Sequence, residues 1–162
     1  MKLSELPAQV LDFVAAHSVM TLATAGPDGP WAAAVFYAHD DQRLLFLSAP
    51  GTRHGRNLAR DPRCAATIQA DSADWPRIQG IQLEGRVAQL AAGAAAQARE
   101  LYGRKFPIVG RTAQVPAAIV EAMARIRWYE LVPERLFFVD NRRGFGHRDA
   151  FGDERRATGL RR

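Results

Sequence analysis

The sequence predicts a mostly β protein with flanking helices, in which antiparallel strands close into a barrel. The chain has 162 residues, the length of one domain. Seven short apolar segments are separated by turn residues, and helical patterns occur before and among them. A meander of that many short strands commonly closes into a barrel, because closure removes exposed strand edges.

Hydrophobic periodicity and turn chemistry assign the elements in chain order. The first is a helix, with Ser4 as candidate N-cap and Val10 and Phe13 on its apolar face. A short helix over 52–60 has Thr52 as candidate N-cap. The predicted strands cover 19–23, 31–38, 44–48, 64–70, 80–90, 125–132 and 136–139, the last two joined by Pro133-Glu134-Arg135, and further helices cover 93–106 and 116–124.

Two single residues carry structural expectations. Gly85 lies inside the strand predicted over 80–90, where a glycine indicates a β-bulge or a close backbone approach. Cys64 is the chain's one cysteine, which excludes an internal disulfide and a thiolate metal site. Its apolar neighbours predict a buried core side chain.

Composition and charge limit the class of protein. Hydrophobic residues make up 48% and charged residues 24%, the balance of an ordinary globular chain. No apolar run approaches the roughly 20 residues of a membrane helix, and the first residues do not resemble a signal peptide. We therefore expect a cytoplasmic protein that does not bind membranes.

The positive charge is concentrated at the C-terminus. The whole chain carries +5, and residues 142–162 carry seven arginines against three acidic residues, a net of +4. A charge run of this kind is usually a solvated segment, so nucleic-acid binding is not expected. We expect one domain over residues 1–147 and a flexible basic tail over 148–162.

The segment 48–57, Ser-Ala-Pro-Gly-Thr-Arg-His-Gly-Arg-Asn, carries the clearest chemical signal. A strand ends, a glycine turns the chain and a helix begins, so free backbone N–H groups and the helix dipole favour an anion there. The side chains that could bind it are Ser48, Thr52, Arg53, His54 and Arg56. The segment indicates a phosphate-monoester site, or alternatively an ordinary capped helix with solvated arginines.

Flat side chains could complement such a site. Phe36 and Tyr37 end the second strand near this turn, and Trp75 and Trp128 are two further candidates. Flat walls beside a phosphate site suit a planar ring system, although each aromatic could equally be a core residue. The common catalytic and nucleotide-binding motifs are absent, and histidines 17, 39, 54 and 147 lack metal-ligand spacing. No metal site and no catalytic residue is assigned from these patterns.

The chain resembles the pyridoxamine 5'-phosphate oxidase-like split-barrel proteins, many of which bind FMN. The resemblance spans roughly residues 8–147. The matching segments are 21–24, 29–30, 36–37, 44–48, 52–58, 60–63 and 80–87. Segment 102–107 and the ending 136–141 with 144–146 resemble the small bacterial YhbP-like branch.

The resemblance implies a homodimer of split barrels with two equivalent FMN sites at the subunit interface. Arg53 and His54 would lie where family members hold the FMN phosphate, with Ser48 and Thr52 assisting. The implied contacts with the isoalloxazine ring are Phe36 and Tyr37, Gln82 or its neighbour Gln79, and Trp128 from the partner subunit.

The chain departs from family members that oxidise pyridoxamine phosphate. Those members usually have Lys where His54 stands, and a basic residue where this chain has Ala32 and Ala33. They also end in an acidic-aromatic-Trp-Gln run that this chain lacks. We therefore do not expect vitamin B6 synthesis.

The expected function is an FMN-dependent oxidoreductase of unknown substrate, in which FMN carries the electrons. Tyr37 is a candidate proton donor to a substrate. A deazaflavin could replace FMN in the same cleft. The alternatives are a haem-binding protein with His147 as axial ligand, and a non-catalytic flavin or nucleotide binder.

Overall fold

The computed structural model describes residues 1–107, 121 and 125–152, in which a seven-stranded antiparallel sheet dominates. The strands are β1 (Val19–Gly26), β2 (Gly29–His39), β3 (Leu44–Ser48), β4 (Arg63–Gln69), β5 (Gln79–Gln89), β6 (Arg127–Asp140) and β7 (Arg148–Gly152). The helices are α1 (Ala8–Ala16), α2 (Arg53–Arg60) and α3 (Ala92–Lys105). The predicted fold class is confirmed.

Six of the strands close into a ring. The strand order is β3-β2-β1-β4-β5-β6-β7, and β3 also pairs with β6. The long strand β6 pairs with β3 through residues 127–131 and with β7 through residues 135–139. The barrel is therefore closed by β6, and β7 extends the sheet outside the ring.

Two apolar clusters hold the barrel together. The larger fills the barrel interior and includes the buried face of α1, with Val10 and Phe13. The smaller lies beneath α3, where Tyr102 packs against Trp128. Cys64 belongs to the larger cluster, as predicted, and burial raises the pKa of its thiol to about 12.

The segment predicted as two strands and a turn is one continuous strand. The residues Pro133-Glu134-Arg135 lie inside β6, and the register between β5 and β6 shifts between Glu84 and Gly85. Pro133 stands opposite Gly85, where the bulge interrupts the ladder and no N–H is required from proline. A Cβ at Gly85 would lie 2.3 Å from the carbonyl oxygen of Val132. The expectation of a bulge and a close approach at Gly85 is confirmed.

The helix boundaries agree with the sequence except at the N-terminus. Residues Leu3–Glu5 form a short 3-10 helix, and α1 begins after Pro7, so Ser4 does not cap it. Proline has no N–H and its fixed φ suits a helix start, which explains the later beginning. Thr52 caps α2 as predicted, because its Oγ1 accepts from the N–H of Gly55 at 3.1 Å. No described helix is long and apolar enough to cross a membrane.

Part of the segment expected to be a flexible tail is a strand. Residues 148–152 form β7, where Phe151 pairs with Leu136 and packs against the larger cluster. Phe151 is the only large apolar residue in this strand, so the sequence carries little periodic signal there. Residues 153–162, and the helix predicted over 116–124 apart from residue 121, lie outside the described residues.

We expect Gly85→Ala to lower the free energy of unfolding by about 2 kcal/mol or more, because the added methyl group would overlap backbone atoms of β6. Gly103→Ala is the matched control, since Gly103 lies within α3 and a Cβ there meets nothing within 4 Å. The free energy of unfolding of this control should rise by about 0.5–1 kcal/mol. Equal effects of the two substitutions in urea denaturation would contradict the close approach at Gly85.

Candidate functional site

The candidate site lies where β3 ends and α2 begins. Barrel closure fixes this junction, because Ser48 at the end of β3 pairs with Arg127 at the start of β6. The helix α2 is fastened to β1, where Nδ2 of Asn57 donates to Oγ1 of Thr24 at 3.1 Å. Gly26 lies so close to Asn57 that a Cβ at Gly26 would come within 2.1 Å of the amide oxygen. The start of α2 is thus held against two strands.

Three of the predicted phosphate-binding residues form one hydrogen-bonded group. Oγ of Ser48 lies 2.6 Å from Nε2 of His54 and 3.2 Å from Oγ1 of Thr52. Oγ1 of Thr52 donates to the carbonyl of Ala49 at 2.8 Å. Ser48 and His54 are both buried. We refer to Ser48, Thr52, Arg53 and His54 as the cradle.

Arg53 is only partly satisfied. Its Nη2 donates to the carbonyl oxygen of Asp28, and its guanidinium lies over the ring of Trp31 at 4.7 Å from the centroid. Its Nε is buried and has no hydrogen-bond partner among the described residues. A buried donor without a partner costs about 1–3 kcal/mol, so an anion that accepted from Nε would remove that cost.

The electrostatics of the cradle favour an anion. The hydrogen bonds of the described residues do not use the backbone N–H groups of Arg53 and His54, which are the first two of α2. Arg56 also lies in the first turn and donates to the carbonyl of Gly51. Burial lowers the pKa of His54 below its usual value of 6.5, so the imidazole is neutral at pH 7. The donor set therefore fits a phosphate monoester.

The structure places the side chain of Tyr37 away from the cradle. It is 0% exposed, and its hydroxyl donates to the carbonyl of Val14 at 2.6 Å. Burial raises the pKa of the phenol well above 10. The structure therefore does not support Tyr37 as a proton donor to a substrate, and a contact between Tyr37 and a bound ring would have to come from its backbone.

Trp128 is also a core residue within this chain. It is 8% exposed and meets the ring of Tyr102 edge-on at 5.3 Å between centroids. The two candidate tryptophans thus differ, because Trp75 is exposed and stacks on Phe145 at 5.5 Å between ring centroids. Neither tryptophan contacts the cradle of its own chain through any described interaction.

Phe36 and Gln82 share the outer surface of the barrel. Directly paired residues of antiparallel strands point to the same side, and the register aligns Ala34, Thr21, Thr67 and Gln82 in one row across four strands. Phe36 lies two residues from Ala34 and is 57% exposed. We define the outward face by Val19, Thr21, Ala23, Ala32, Ala34, Phe36, Ala65, Thr67 and Gln82. Gln79 lies at the start of β5, opposite Asp140.

The sequence does not predict the contacts of Arg53 and Asn57. Arg53 contacts Asp28 and Trp31, for which the sequence predicts only a turn and a strand. Asn57 contacts Thr24, which no sequence pattern marks as its partner. These pairs are 22 to 33 residues apart, and nothing in local periodicity reports such contacts. The turn residues around Asp28, next to the first strand, are the one sequence feature that bears on the position of these partners.

A cavity of about 980 Å³ lies elsewhere, between the N-terminal 3-10 helix and the strands β5 to β7. Three of its ionisable lining residues form ion pairs, since Arg135 pairs with Glu84 at 3.0 Å and Glu134 pairs with the neighbouring Arg86 at 3.6 Å. We therefore assign the candidate site to the cradle, which has an unsatisfied donor, and not to this cavity. The described residues contain no group of three or more His, Cys, Asp or Glu that could hold a metal ion.

Comparison with known proteins identifies the family. The family model described as pyridoxamine 5'-phosphate oxidase matches residues 6–140. The chain therefore belongs to the pyridoxamine 5'-phosphate oxidase family. Within it, the chain is 30% identical to UPF0306 protein YhbP of Escherichia coli O157:H7 over 118 residues, 72% of each chain, which confirms the resemblance to the YhbP-like branch.

Solved structures of different ligand classes share the fold. A heme binding protein from Mycobacterium smegmatis superposes with a TM-score of 0.69 at 24% identity. The match covers 91% of this chain but only 59% of that protein. An FAD-binding protein from Mesorhizobium loti gives a TM-score of 0.62 at 17% identity, over 90% of this chain and 95% of that one. At these identities the similarity shows the fold alone.

We expect Tyr37→Phe to lower the free energy of unfolding by about 1 kcal/mol, because it removes a buried hydrogen bond to α1. Tyr102→Phe is the control, since that hydroxyl makes a longer bond, 3.4 Å, to the carbonyl of Phe36. Tyr102→Phe should therefore lower the free energy of unfolding by less than Tyr37→Phe does. Denaturation curves in which Tyr37→Phe matches the wild type would show that the Tyr37 hydroxyl is not a structural donor.

Proposed function

We propose that the protein binds FMN and uses it in an oxidoreductase reaction, with the FMN phosphate held in the cradle. The observation that carries the proposal is the buried, unpartnered Nε of Arg53, a residue of the first turn of α2 that follows Thr52 directly in the chain. A phosphate offers several acceptor oxygens to such converging donors. The family's name and the FAD-binding neighbour support a flavin.

Each cradle residue has a distinct role in this proposal. Arg53 donates from Nε to a phosphate oxygen and keeps its stacking contact with Trp31. The backbone N–H groups of Arg53 and His54 bind a second oxygen, and Ser48 and Thr52 orient His54. FMN, when bound, supplies hydride or single-electron transfer. We assign no acid or base to the chain, and we do not propose a pyridoxal-type substrate, because His54, Ala32 and Ala33 replace the basic residues typical of that activity.

We also propose that the protein is a homodimer that pairs through the outward face. Small side chains make this face flat where β1, β2 and β4 adjoin, and Val19 and Phe36 are 41% and 57% exposed on it. An apolar surface of this kind is typical of an interface. Within one chain, Phe36 and Gln82 lie on this face, whereas the cradle lies at the end of β3. An FMN whose phosphate lies in the cradle of one subunit, and whose isoalloxazine ring contacts Phe36 and Gln82, would therefore lie between subunits.

We expect the purified protein to show flavin absorption bands or to bind FMN with a micromolar Kd. Arg53→Ala should weaken binding about 10- to 100-fold, the value of a hydrogen bond to a charged group. Arg60→Ala is the matched control, because Arg60 is exposed in the last turn of the same helix. Absence of FMN binding, or equal effects of the two substitutions in a fluorescence titration, would refute the proposal.

Haem binding is the second candidate. It is favoured by His147, whose Nε2 lies 3.1 Å from Oδ1 of Asp149, since a carboxylate partner orients a ligating histidine. The heme binding protein of the same fold supports this candidate. A Soret band in the wild-type protein that His147→Ala abolishes would change the assigned cofactor from flavin to haem. Binding of a deazaflavin in preference to FMN would keep the cradle as the phosphate site and change only the cofactor.

We expect Ala34→Arg to convert the dimer into monomers, because it places a charge at the centre of the outward face. Gln42→Arg adds the same charge in the exposed turn between β2 and β3 and should leave the dimer intact. Analytical ultracentrifugation distinguishes the two. A monomeric wild-type protein, or a dimer that survives Ala34→Arg, would contradict pairing through this face.

A further inference from the structure

The hydrogen bonds of the cradle fix which nitrogen of His54 carries a proton. The hydroxyl of Thr52 has one proton, which it donates to the carbonyl of Ala49 at 2.8 Å. Oγ1 of Thr52 therefore accepts both from the N–H of Gly55, at 3.1 Å, and from the hydroxyl of Ser48, at 3.2 Å. The single proton of Ser48 is then committed to Thr52.

Ser48 can consequently only accept from His54. If Ser48 instead donated to His54, two hydroxyl oxygens would face each other at 3.2 Å without a proton between them. The satisfied arrangement is a relay in which Nε2–H of His54 donates to Ser48, Ser48 to Thr52 and Thr52 to Ala49. The neutral imidazole is thus the Nε2–H tautomer, and Nδ1 is the atom that titrates.

Nδ1 of His54 is open to a ligand. No hydrogen bond of the described residues uses Nδ1. Nδ1 also does not count among the described nitrogen and oxygen atoms that are both buried and unpartnered, as Nε of Arg53 does. It therefore retains contact with solvent although the residue is 9% exposed. Neutral His54 presents a lone pair at this position and repels an anion, whereas the imidazolium presents an N–H donor.

The charged groups on the elements that pack around His54 are mostly cations. The same helix carries Arg53 and Arg56, and Arg127 on β6 pairs with Ser48. The strands β1 and β3 have no ionisable side chain, β2 has Tyr37 and His39 near its far end, and the turn before β2 has Asp28. Burial lowers the pKa of His54, which favours the neutral imidazole in the free protein.

We infer that His54 binds the FMN phosphate as an imidazolium, and that it takes up a proton on Nδ1 as the phosphate enters. This inference rests on the proposed function and adds a proton-coupled binding residue to it. In the complex the phosphate holds the proton on His54, so the pKa of His54 is higher when FMN is bound than when the cradle is free. The affinity for FMN is then constant at pH values below the pKa of His54 in the free protein. Between that pKa and the higher pKa of the complex, the affinity falls with rising pH by up to tenfold per pH unit, and above both pKa values it is constant again.

The test compares three proteins in FMN titrations at about pH 6 and about pH 8, which bracket the ordinary histidine pKa. The phosphate of FMN itself titrates near pH 6, so the effect is measured relative to His54→Lys, which stays charged throughout. The ratio of the wild-type Kd to the Lys-variant Kd should rise about tenfold across this range. His54→Gln, whose amide can still donate to Ser48, should bind weakly, with a Kd in constant ratio to that of the Lys variant.

Calorimetry gives an independent readout. Binding of FMN in two buffers of different ionisation enthalpy should show uptake of up to one more proton by the wild type than by His54→Lys. A constant Kd ratio with no excess proton uptake would overturn the inference while leaving FMN binding intact. Melting temperatures of all three proteins establish that each is folded, and His54→Gln keeps the test valid if the buried lysine is not tolerated.

The tautomer can be tested without FMN. Long-range ¹H–¹⁵N spectra of the free protein should show Nε2–H at His54, and inorganic phosphate should raise its pKa. The Nδ1–H tautomer, or a pKa that phosphate leaves unchanged, would refute the inference even if FMN binds. Loss of FMN binding in every protein, together with a phosphate-sensitive His54, would instead refute only the assignment of FMN.

Discussion

The pairing of β6 with two different strands along one edge is the constraint on which the rest of the structure depends. Its first half pairs with β3 up to Leu131, and its second half pairs with β7 from Arg135 onward. Between them Pro133 lies opposite Gly85, where the bulge bends the strand and no ladder bond from proline is needed. Without the pairing of β6 with β3 the sheet would stay open, and β3 would have a free edge.

Closure also determines the position of the cradle. Ser48 is the last residue of β3, and its pairing with Arg127 places the end of β3 against the start of β6. The chain then turns and enters α2, which Asn57 fastens to Thr24 on β1. The donors of the cradle therefore converge because three strands and one helix N-terminus are fixed relative to one another. No single local motif could produce this arrangement.

Much of this architecture follows from local signals in the sequence, and the exceptions share a cause. Thr52, Gly85 and Cys64 have roles that depend on the identity of the residue and its immediate neighbours, so the sequence predicts them. The side-chain orientation of Tyr37 depends on the strand register, since Phe36 and Tyr37 point to opposite sides of β2 and only Phe36 faces outward.

Tertiary pairing explains the remaining differences. The strand β7 is formed by pairing with β6 and has only Phe151 to pack against the core. The two predicted strands around Pro133 become one because the partner strand supplies a glycine bulge opposite the proline. The stacking of Arg53 on Trp31 joins residues whose separation in the chain gives no periodic signal. Each of these features depends on a partner that lies far along the sequence.

A histidine in the cradle is consistent with the degree of burial found there. A lysine at this position would be a permanent charge in a site where His54 is 9% exposed, and desolvating an unpaired charge is costly. The neutral imidazole needs only one acceptor, which Ser48 supplies. Arg53 similarly rests against Trp31 and the carbonyl of Asp28. In the free protein His54 thus has a low-cost neutral state, whereas the buried Nε of Arg53 lacks an acceptor that the proposed phosphate would supply.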